Sequence, residues 1–283
     1  MLTHGRFDMT TLYVVATPIG NLEDITLRAL RILSEVSIIA AEDTRTTRKL
    51  LSHYEIHTPL TSYHDHNRNY KIPIIIKALA KADVALVSEA GTPGVSDPGL
   101  ELVRAAIAEG ISVISIPGPS AVITALAASG ISAKHFLFLG FIPRKKSERK
   151  TLLLSLSDIT HTIVLFESPH RLKQTLADMH DILGDRPLAV VREATKLYEE
   201  IFRGTAYQCQ EYFRQPRGEF TLIIEAKTSL FLPSYTEATK RLRELLLQGF
   251  SGREARRETS IETGLRRKDI YQMWLSLSND MDD

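Results

Sequence analysis

An alternation in the first half of the chain limits its fold more than any other feature. Short, continuous apolar runs rich in β-branched residues are separated by helical stretches. TLYVVA (11–16), VSIIAA (36–41), ADVALVS (82–88) and SVISI (112–116) read as strands. LRALRIL, TRTTRKLLSHY and PSAVITALAAS (119–129) read as helices, the last with proline in its first turn. A strand that is apolar at every position has both faces covered. Such strands, separated by helices, imply an α/β domain with a mainly parallel sheet.

The pattern then changes. FLFLGF (136–141) begins a connection, and the basic, proline-bearing IPRKKSERK marks a boundary. HTIVLFE (161–167) and PLAVVRE (187–193) read as strands around a helix over 168–183. YEEIFRGT and GEFTLIIEA, with one short helix between them, suggest antiparallel strands and so a mixed sheet. FLPSY (231–235) reads as a linker. Helical stretches over 237–248, 252–259 and 266–277 follow, with short turns at Gly249 and Gly264. They form either a helix-turn-helix unit or a small helical cap. The expected division is a disordered leader at 1–10, α/β domains at 11–135 and 136–230, and a helical domain at 231–283.

With 283 residues, the chain is long enough for two cores. Its one cysteine, Cys209, excludes an internal disulfide and a multi-cysteine metal site. It fits a reducing, cytoplasmic compartment. No apolar run approaches the roughly 18 residues of a membrane span, and MLTHGRFDMT lacks a signal-peptide stretch. The net charge of +1 excludes a polyelectrolyte binder, but cations are clustered locally. Arg144, Lys145, Lys146, Arg149 and Lys150 lie together, and a second group between Lys240 and Lys268 includes Arg253, Arg256, Arg257, Arg266 and Arg267. Such patches either guide a phosphate backbone or are solvated helix faces and a charged linker.

Four loops follow strands at their C-terminal ends, where open α/β sheets bind ligands. ATPIGNLEDIT (16–26) has one glycine and no G-x-G-x-x-G, which disfavours a dinucleotide site. AEDTRTTRKLL (41–51) places Glu42, Asp43, Thr44 and Arg45 where a strand meets a helix. Asp43 or Thr44 can serve as the helix cap, and the group can also orient a hydroxyl or take its proton. SEAGTPGVSDPG (88–99) carries three glycines and two prolines, a backbone specified for close approach to a ligand. IPGPSA (116–121) is the fourth. His53, His57, His64 and His66 surround YHDHNRN (63–69) without a convincing ligand spacing. Tyr63, His64 and Arg68 there are better suited to RNA than to a metal.

These segments carry a resemblance. VATPIGNLEDITLRAL, AEDTRTTRKLL, SEAGTPGVSDPG, PGPSAVITAL, FLGFIPRKKSERK, FESPHRL, VVREATKLYEE and GEFTLII, in that order, resemble the tetrapyrrole methylase superfamily of class III methyltransferases. Within it, the chain resembles the branch that acts on small-subunit ribosomal RNA. The first loop departs from the G-x-G-x-G-D of porphyrin-methylating relatives, which argues against a tetrapyrrole substrate. The tail also resembles that branch's small helical domain.

The resemblance implies two α/β domains, a homodimer, and S-adenosylmethionine bound between the domains, with no metal. It carries donor binding onto Ser88, Ala90, Gly91, Thr92, Pro93, Gly94, Ser96, Asp97, Ser120 and Ala121. From the second domain it adds Phe166, Glu167, Ser168, Arg192, Ala194, Glu219, Phe220 and Thr221. The implied acceptor is the ribose 2′-hydroxyl of cytidine 1402 in 16S rRNA, within the small ribosomal subunit.

A neutral hydroxyl is a poor nucleophile, so it needs in-line placement and a proton acceptor. Glu42, Asp43, Arg45 and Glu89 are the candidates to surround it. Arg144, Lys145, Lys146 and Arg149 are the candidates to hold RNA, and Arg171 to meet the donor or the RNA. Two other readings stay open. A tetrapyrrole-type methylase would not call for the basic patches, and a non-enzymatic ribosome-assembly factor would not need the constrained SEAGTPG loop.

Overall fold

The computed structural model describes residues 10–227 and 235–281. The expected leader, apart from Thr10, and the expected linker up to residue 234 lie outside the described residues. The first α/β layer runs β1 (Thr11–Val15), α1 (Leu27–Glu35), β2 (Ile38–Ala41), α2 (Thr44–His53), β3 (Leu60–Ser62), α3 (Arg68–Leu79), β4 (Val84–Val87), α4 (Leu100–Ala108), β5 (Ser112–Ile116) and α5 (Ala121–Ser129). Its five strands are all parallel, in the order β3-β2-β4-β1-β5.

Strand alternation explains why the apolar runs are continuous. Ile39, Ala41, Ala85 and Val87 face Ile32, Leu33, Leu50 and Leu51 of α1 and α2. The intervening Ala40, Val84 and Leu86 face Ile75, Leu79, Leu102 and Ala106 of α3 and α4. Both faces are covered, as the apolar runs require.

The second layer runs β6 (Phe136–Phe141), α6 (Lys146–Ser155), β7 (Thr162–Glu167), α7 (Pro169–Leu183), β8 (Leu188–Arg192), β9 (Glu200–Gly204), α8 (Ala206–Tyr212) and β10 (Phe220–Ile224). The order is β6-β7-β10-β8-β9, with β6 parallel to β7 and the other pairs antiparallel. This is the mixed sheet expected. One face, carrying Ile163, Leu165, Val190 and Leu222, packs with Leu153, Leu172, Leu176 and Cys209 from α6, α7 and α8. Burial pushes the Cys209 thiol up to about 12, so it stays a neutral core group.

The other face is covered from the first layer. Val122, Ala125 and Leu126 of α5 pack on Val164, Ala189, Val191 and Ile223. Ser120 caps the start of α5, and Arg203 of β9 donates to the carbonyls of Ala128 and Ser129 at its end. Both sheets therefore belong to one compact unit, which extends to Lys227.

Several local expectations change. FLFLGF is the edge strand β6 rather than the start of a connection, and IPRKKSERK runs into α6. Pro119 precedes the Ser120 cap instead of standing inside the first turn of α5. The stretch after YHDHNRN is helix α3, which tolerates Pro73 in its interior. A proline inside an apolar run masked that helix, and β3, with three residues, was too short to register as a strand.

The remaining helices, α9 (Tyr235–Leu247), α10 (Gly252–Thr263) and α11 (Arg267–Met281), form a separate compact unit. Ala238, Leu242, Leu245, Ala255, Ile270 and Met273 make its core. Ser251 and Glu254 form a reciprocal capping box at the start of α10. Arg256 stacks 4.7 Å from the Trp274 ring, and Arg241 holds Glu262 at 2.6 Å. Part of this unit's basic charge is thus engaged internally.

Leu126→Ala should destabilise the two-sheet unit by about 2–5 kcal/mol, because it opens a cavity between α5 and the second sheet. Ile123→Ala, at an exposed position of the same helix, should change it little. Urea unfolding of the two variants checks the difference.

Candidate functional site

The C-terminal ends of the first sheet and one end of the second enclose a cleft of about 760 Å³. Its walls come from the expected loops. Ala90, Gly91, Thr92, Ser96 and Asp97 form one side, with Ser120 and Ala121 at the start of α5. Phe166, Ser168, Ala194, Glu219, Phe220 and Thr221 supply the opposite side. The volume falls within the range of small-molecule sites.

The loop after β1 frames the entrance. Thr17 and Gly91 exchange two backbone hydrogen bonds, of 2.9 and 3.0 Å. Gly91 adopts φ +78°, a conformation a side chain resists, and its backbone can therefore face the cleft. On the other side the Asn21 amide donates to Thr195 Oγ1 at 3.1 Å. A Cβ on Gly20 would lie 2.4 Å from Lys196 Cγ. The first loop thus touches both halves of the site. Lys196 is itself held, 3.0 Å from both Glu193 and Glu219.

Of the five carboxylates in the wall, Glu42, Glu89 and Asp97 lie close enough to feel one another's charge. Glu42 Oε2 accepts the Glu89 amide hydrogen at 3.1 Å, and burial raises the Glu42 carboxyl above its usual range. Burial, reinforced by the neighbouring Glu42 charge, raises Asp97 to about 6, while the Ser88 hydroxyl opposes the shift. Glu42 and Asp97 are therefore weaker acids, and so stronger bases, than an exposed carboxyl.

Asp43 and Arg45 do not join this group. Asp43 caps α2, accepting the amides of Arg45 and Thr46, and the Arg45 guanidinium lies 2.9 Å from its Oδ2. The Arg45 hydrogen bonds hold Asp43 down to about 2, too weak a base to take a proton at neutral pH.

Other expected site residues are also committed elsewhere. Ser88 is buried behind the wall, where its hydroxyl lies between the Ala90 carbonyl and Asp97, and Pro93 and Gly94 lie outside the cleft wall. Arg192 turns to Glu200 and the Arg217 carbonyl. Glu167 forms part of the wall, but its carboxylate accepts from Ser168 N, Thr175 Oγ1 and Arg171. Arg171 is thereby tied to Glu167 and the Ile142 carbonyl rather than aimed at a ligand. Tyr63 is buried in the core instead of offering a ring to RNA.

The basic segment divides in two. Arg144, Lys145 and Lys146 are exposed, with Lys145 paired to Glu148 at 3.0 Å. Arg149 is 1% exposed, with Nε and Nη2 2.8 and 2.7 Å from Asp178 Oδ2, so it cannot contact RNA. Its charge is instead neutralised inside the fold. The sequence reading gave no site role to Thr46, Val122, Phe141, Pro169, Val191 or Lys196, which are in the wall. Phe141 had a signal: it ends the apolar run FLFLGF, and its ring lies 5.4 Å from that of Phe166.

The model of the tetrapyrrole (corrin/porphyrin) methylases matches residues 11–210. The chain belongs to this family. It is 45% identical to ribosomal RNA small subunit methyltransferase I of Halalkalibacterium halodurans over 277 residues, covering 95% of this chain and 96% of that protein. To the protein of that name from Synechocystis sp. it is 48% identical over 278 residues, covering 96% and 100%. The fold is that of a cobalt precorrin-4 methyltransferase, with a TM-score of 0.60 at 18% identity over 79% of this chain and 98% of that one. It is also that of a uroporphyrin-III C-methyltransferase from Thermus thermophilus solved with S-adenosyl homocysteine, with a TM-score of 0.55 at 19% identity over 76% and 97%.

Arg149→Ala should lower stability by about 3–5 kcal/mol, since it leaves Asp178 buried with only Lys150 nearby at 3.6 Å. Lys146→Ala should leave stability nearly unchanged. Thermal unfolding of both proteins separates a structural arginine from a surface one. Gly91→Ala should cost about 1–2 kcal/mol through its left-handed backbone. Calorimetry with S-adenosylmethionine should then show weaker binding if Gly91 shapes the cleft.

Proposed function

We propose that this chain transfers a methyl group from S-adenosylmethionine to a ribose 2′-hydroxyl of 16S ribosomal RNA, at a cytidine. The observation that carries the reading is the set of three carboxylates, Glu42, Glu89 and Asp97, in the wall that also holds the SEAGTPG loop. The strong likeness to the ribosomal RNA small subunit methyltransferases I supports the substrate class.

The cleft suits the donor on its own dimensions. It combines aromatic walls at Phe141 and Phe166, the side-chain-free Gly91, and the hydroxyl-bearing Ser120 and Thr221. Ala90, Gly91, Thr92, Ser120, Ala121, Phe166, Ala194, Phe220 and Thr221 would hold it. Bound there, S-adenosylmethionine supplies a methyl group activated by a sulfonium centre.

The protein's own part is to place the hydroxyl and remove its proton. Asp97, assigned to the donor by resemblance, is better placed as the proton acceptor. Burial and Glu42 make its carboxylate more basic, yet with a value of about 6 it is mostly ionised at neutral pH. With the donor bound, its sulfonium would give up the methyl group to the ribose oxygen, and Asp97 would take the hydroxyl proton. Glu42, fixed by the Glu89 amide, keeps Asp97 basic and helps orient the hydroxyl.

The sign of the pH dependence follows. Only the ionised carboxylate accepts a proton, so kcat/KM should fall about tenfold per pH unit below about 6 and level off above it. Asp97→Asn should lower turnover by about 10²–10⁴-fold and remove that acidic limb, with donor affinity retained. Loss of donor binding instead would return Asp97 to the donor set. Alkaline hydrolysis of the product checks the acceptor. A 2′-O-methyl blocks cleavage at the adjoining 3′ phosphodiester, and a labile bond at the methylated nucleotide would exclude the ribose.

A further inference from the structure

Methyl transfer to RNA at this cleft faces an electrostatic obstacle. RNA is a polyanion, and three carboxylates crowd the place where one of its riboses must sit. The ribose is neutral, but the phosphates on either side of it are not. They need cations close to the cleft to offset the acids.

Helix α2 supplies them. It starts one residue after the Asp43 cap and two after Glu42, and its residue Thr46 is part of the cleft wall. Its buried side is Thr47, Leu50 and Leu51, which anchor it to the first sheet. The opposite side is Arg45, Arg48, Lys49, Ser52 and His53, all exposed, which border one open depression. These positions are spaced i, i+3, i+4, i+7 and i+8, the spacing of a single helical face. A surface helix usually places mixed charges there, but α2 contains no acidic residue. Arg45 is paired with Asp43 and feels the Glu89 charge, and Glu55 follows the helix. Arg48 and Lys49 form no ion pair among the described residues.

We infer that the exposed face of α2, through Arg48 and Lys49 with Ser52 and His53, holds the phosphate backbone of the RNA strand whose ribose enters the cleft. The inference rests on the proposed reaction and assigns the surface that delivers its substrate. From Arg45 to His53 the face is roughly 12 Å long, enough to follow more than one phosphate. The acids at its near end keep phosphates out of the reacting position, and the cations hold them just beyond it. The register of the strand would then be set by the change of sign along one helix. Unlike Arg149, which is sealed in the core, these cations are available for contact.

The test is the double variant Arg48→Gln, Lys49→Gln, with Arg48→Lys as the charge-conserving partner. Binding to naked 16S rRNA is measured from low to moderate salt. Donor affinity is followed by calorimetry, single-turnover rate at saturating rRNA by methyl incorporation, and oligomeric state by sedimentation. The double variant should flatten the slope of log affinity against log salt by about 1.4–1.8, the loss of two phosphate contacts. Its KM for rRNA should rise, with donor affinity and saturated single-turnover rate unchanged, and Arg48→Lys should keep the wild-type slope. An unaltered slope in the double variant overturns the inference. A changed oligomeric state with unaltered slope also overturns it and makes the face a subunit contact. Failure of the wild-type protein to methylate any rRNA overturns the proposed reaction itself, which the variants do not address.

Discussion

Val122, Ala125 and Leu126 leave the last strand of the first sheet and bury themselves on Val164, Ala189, Val191 and Ile223 of the second. The site depends on that contact. α5 follows the last strand of the first layer in the chain but buries its apolar face on the second. Its N-terminal end carries Ser120 and Ala121 into the cleft, and its C-terminal end is held by Arg203 from β9. The position of the second sheet relative to the first loops is therefore set by a hydrophobic interface one turn away from the ligand walls. A close-packed contact of this kind does not deform gradually, so the cleft keeps its width.

Around that frame, charge is sorted by depth. Arg149 with Asp178, and Arg171 with Glu167, are neutralised inside the second layer and fix its helices. Glu42, Glu89 and Asp97 are gathered at the cleft with no cation bonded to them among the described residues, and burial raises Glu42 and Asp97. Other cations remain exposed, among them those on α2 and at 144–146. A net charge of +1 conceals this arrangement completely.

Much of the site was legible before any coordinates. Ala90, Gly91, Thr92, Ser96, Asp97, Ser120, Ala121, Phe166, Ser168, Ala194, Glu219, Phe220 and Thr221 were expected in the walls and line the cleft. Strand-end position pointed to the loops of the first, parallel sheet, while the residues of the second, mixed sheet were legible only through the family resemblance. The misreadings have physical reasons too. Asp43 looks like a catalytic acid until its two backbone acceptor bonds and its guanidinium partner are seen. Arg149 looks like its exposed neighbours, but helical spacing turns it inward while Lys145 and Lys146 point out. Phe141 was hidden because a short apolar run before a basic segment can be an edge strand or a connection with equal ease.

The sequence by itself determined the layered α/β architecture, the parallel first sheet, the mixed second one and the loops that meet a ligand. Continuous apolar strands cannot be stable unless both faces are covered, and a glycine-rich strand end specifies close approach wherever it is placed. Only the tertiary structure decided which carboxylate is basic, which arginine is buried and which helix face stays cationic. Those properties arise from burial and from partners distant in the chain. Asp97 is raised by burial and by a glutamate 55 residues earlier, and Arg149 is neutralised by an aspartate 29 residues later. No local pattern records either distance.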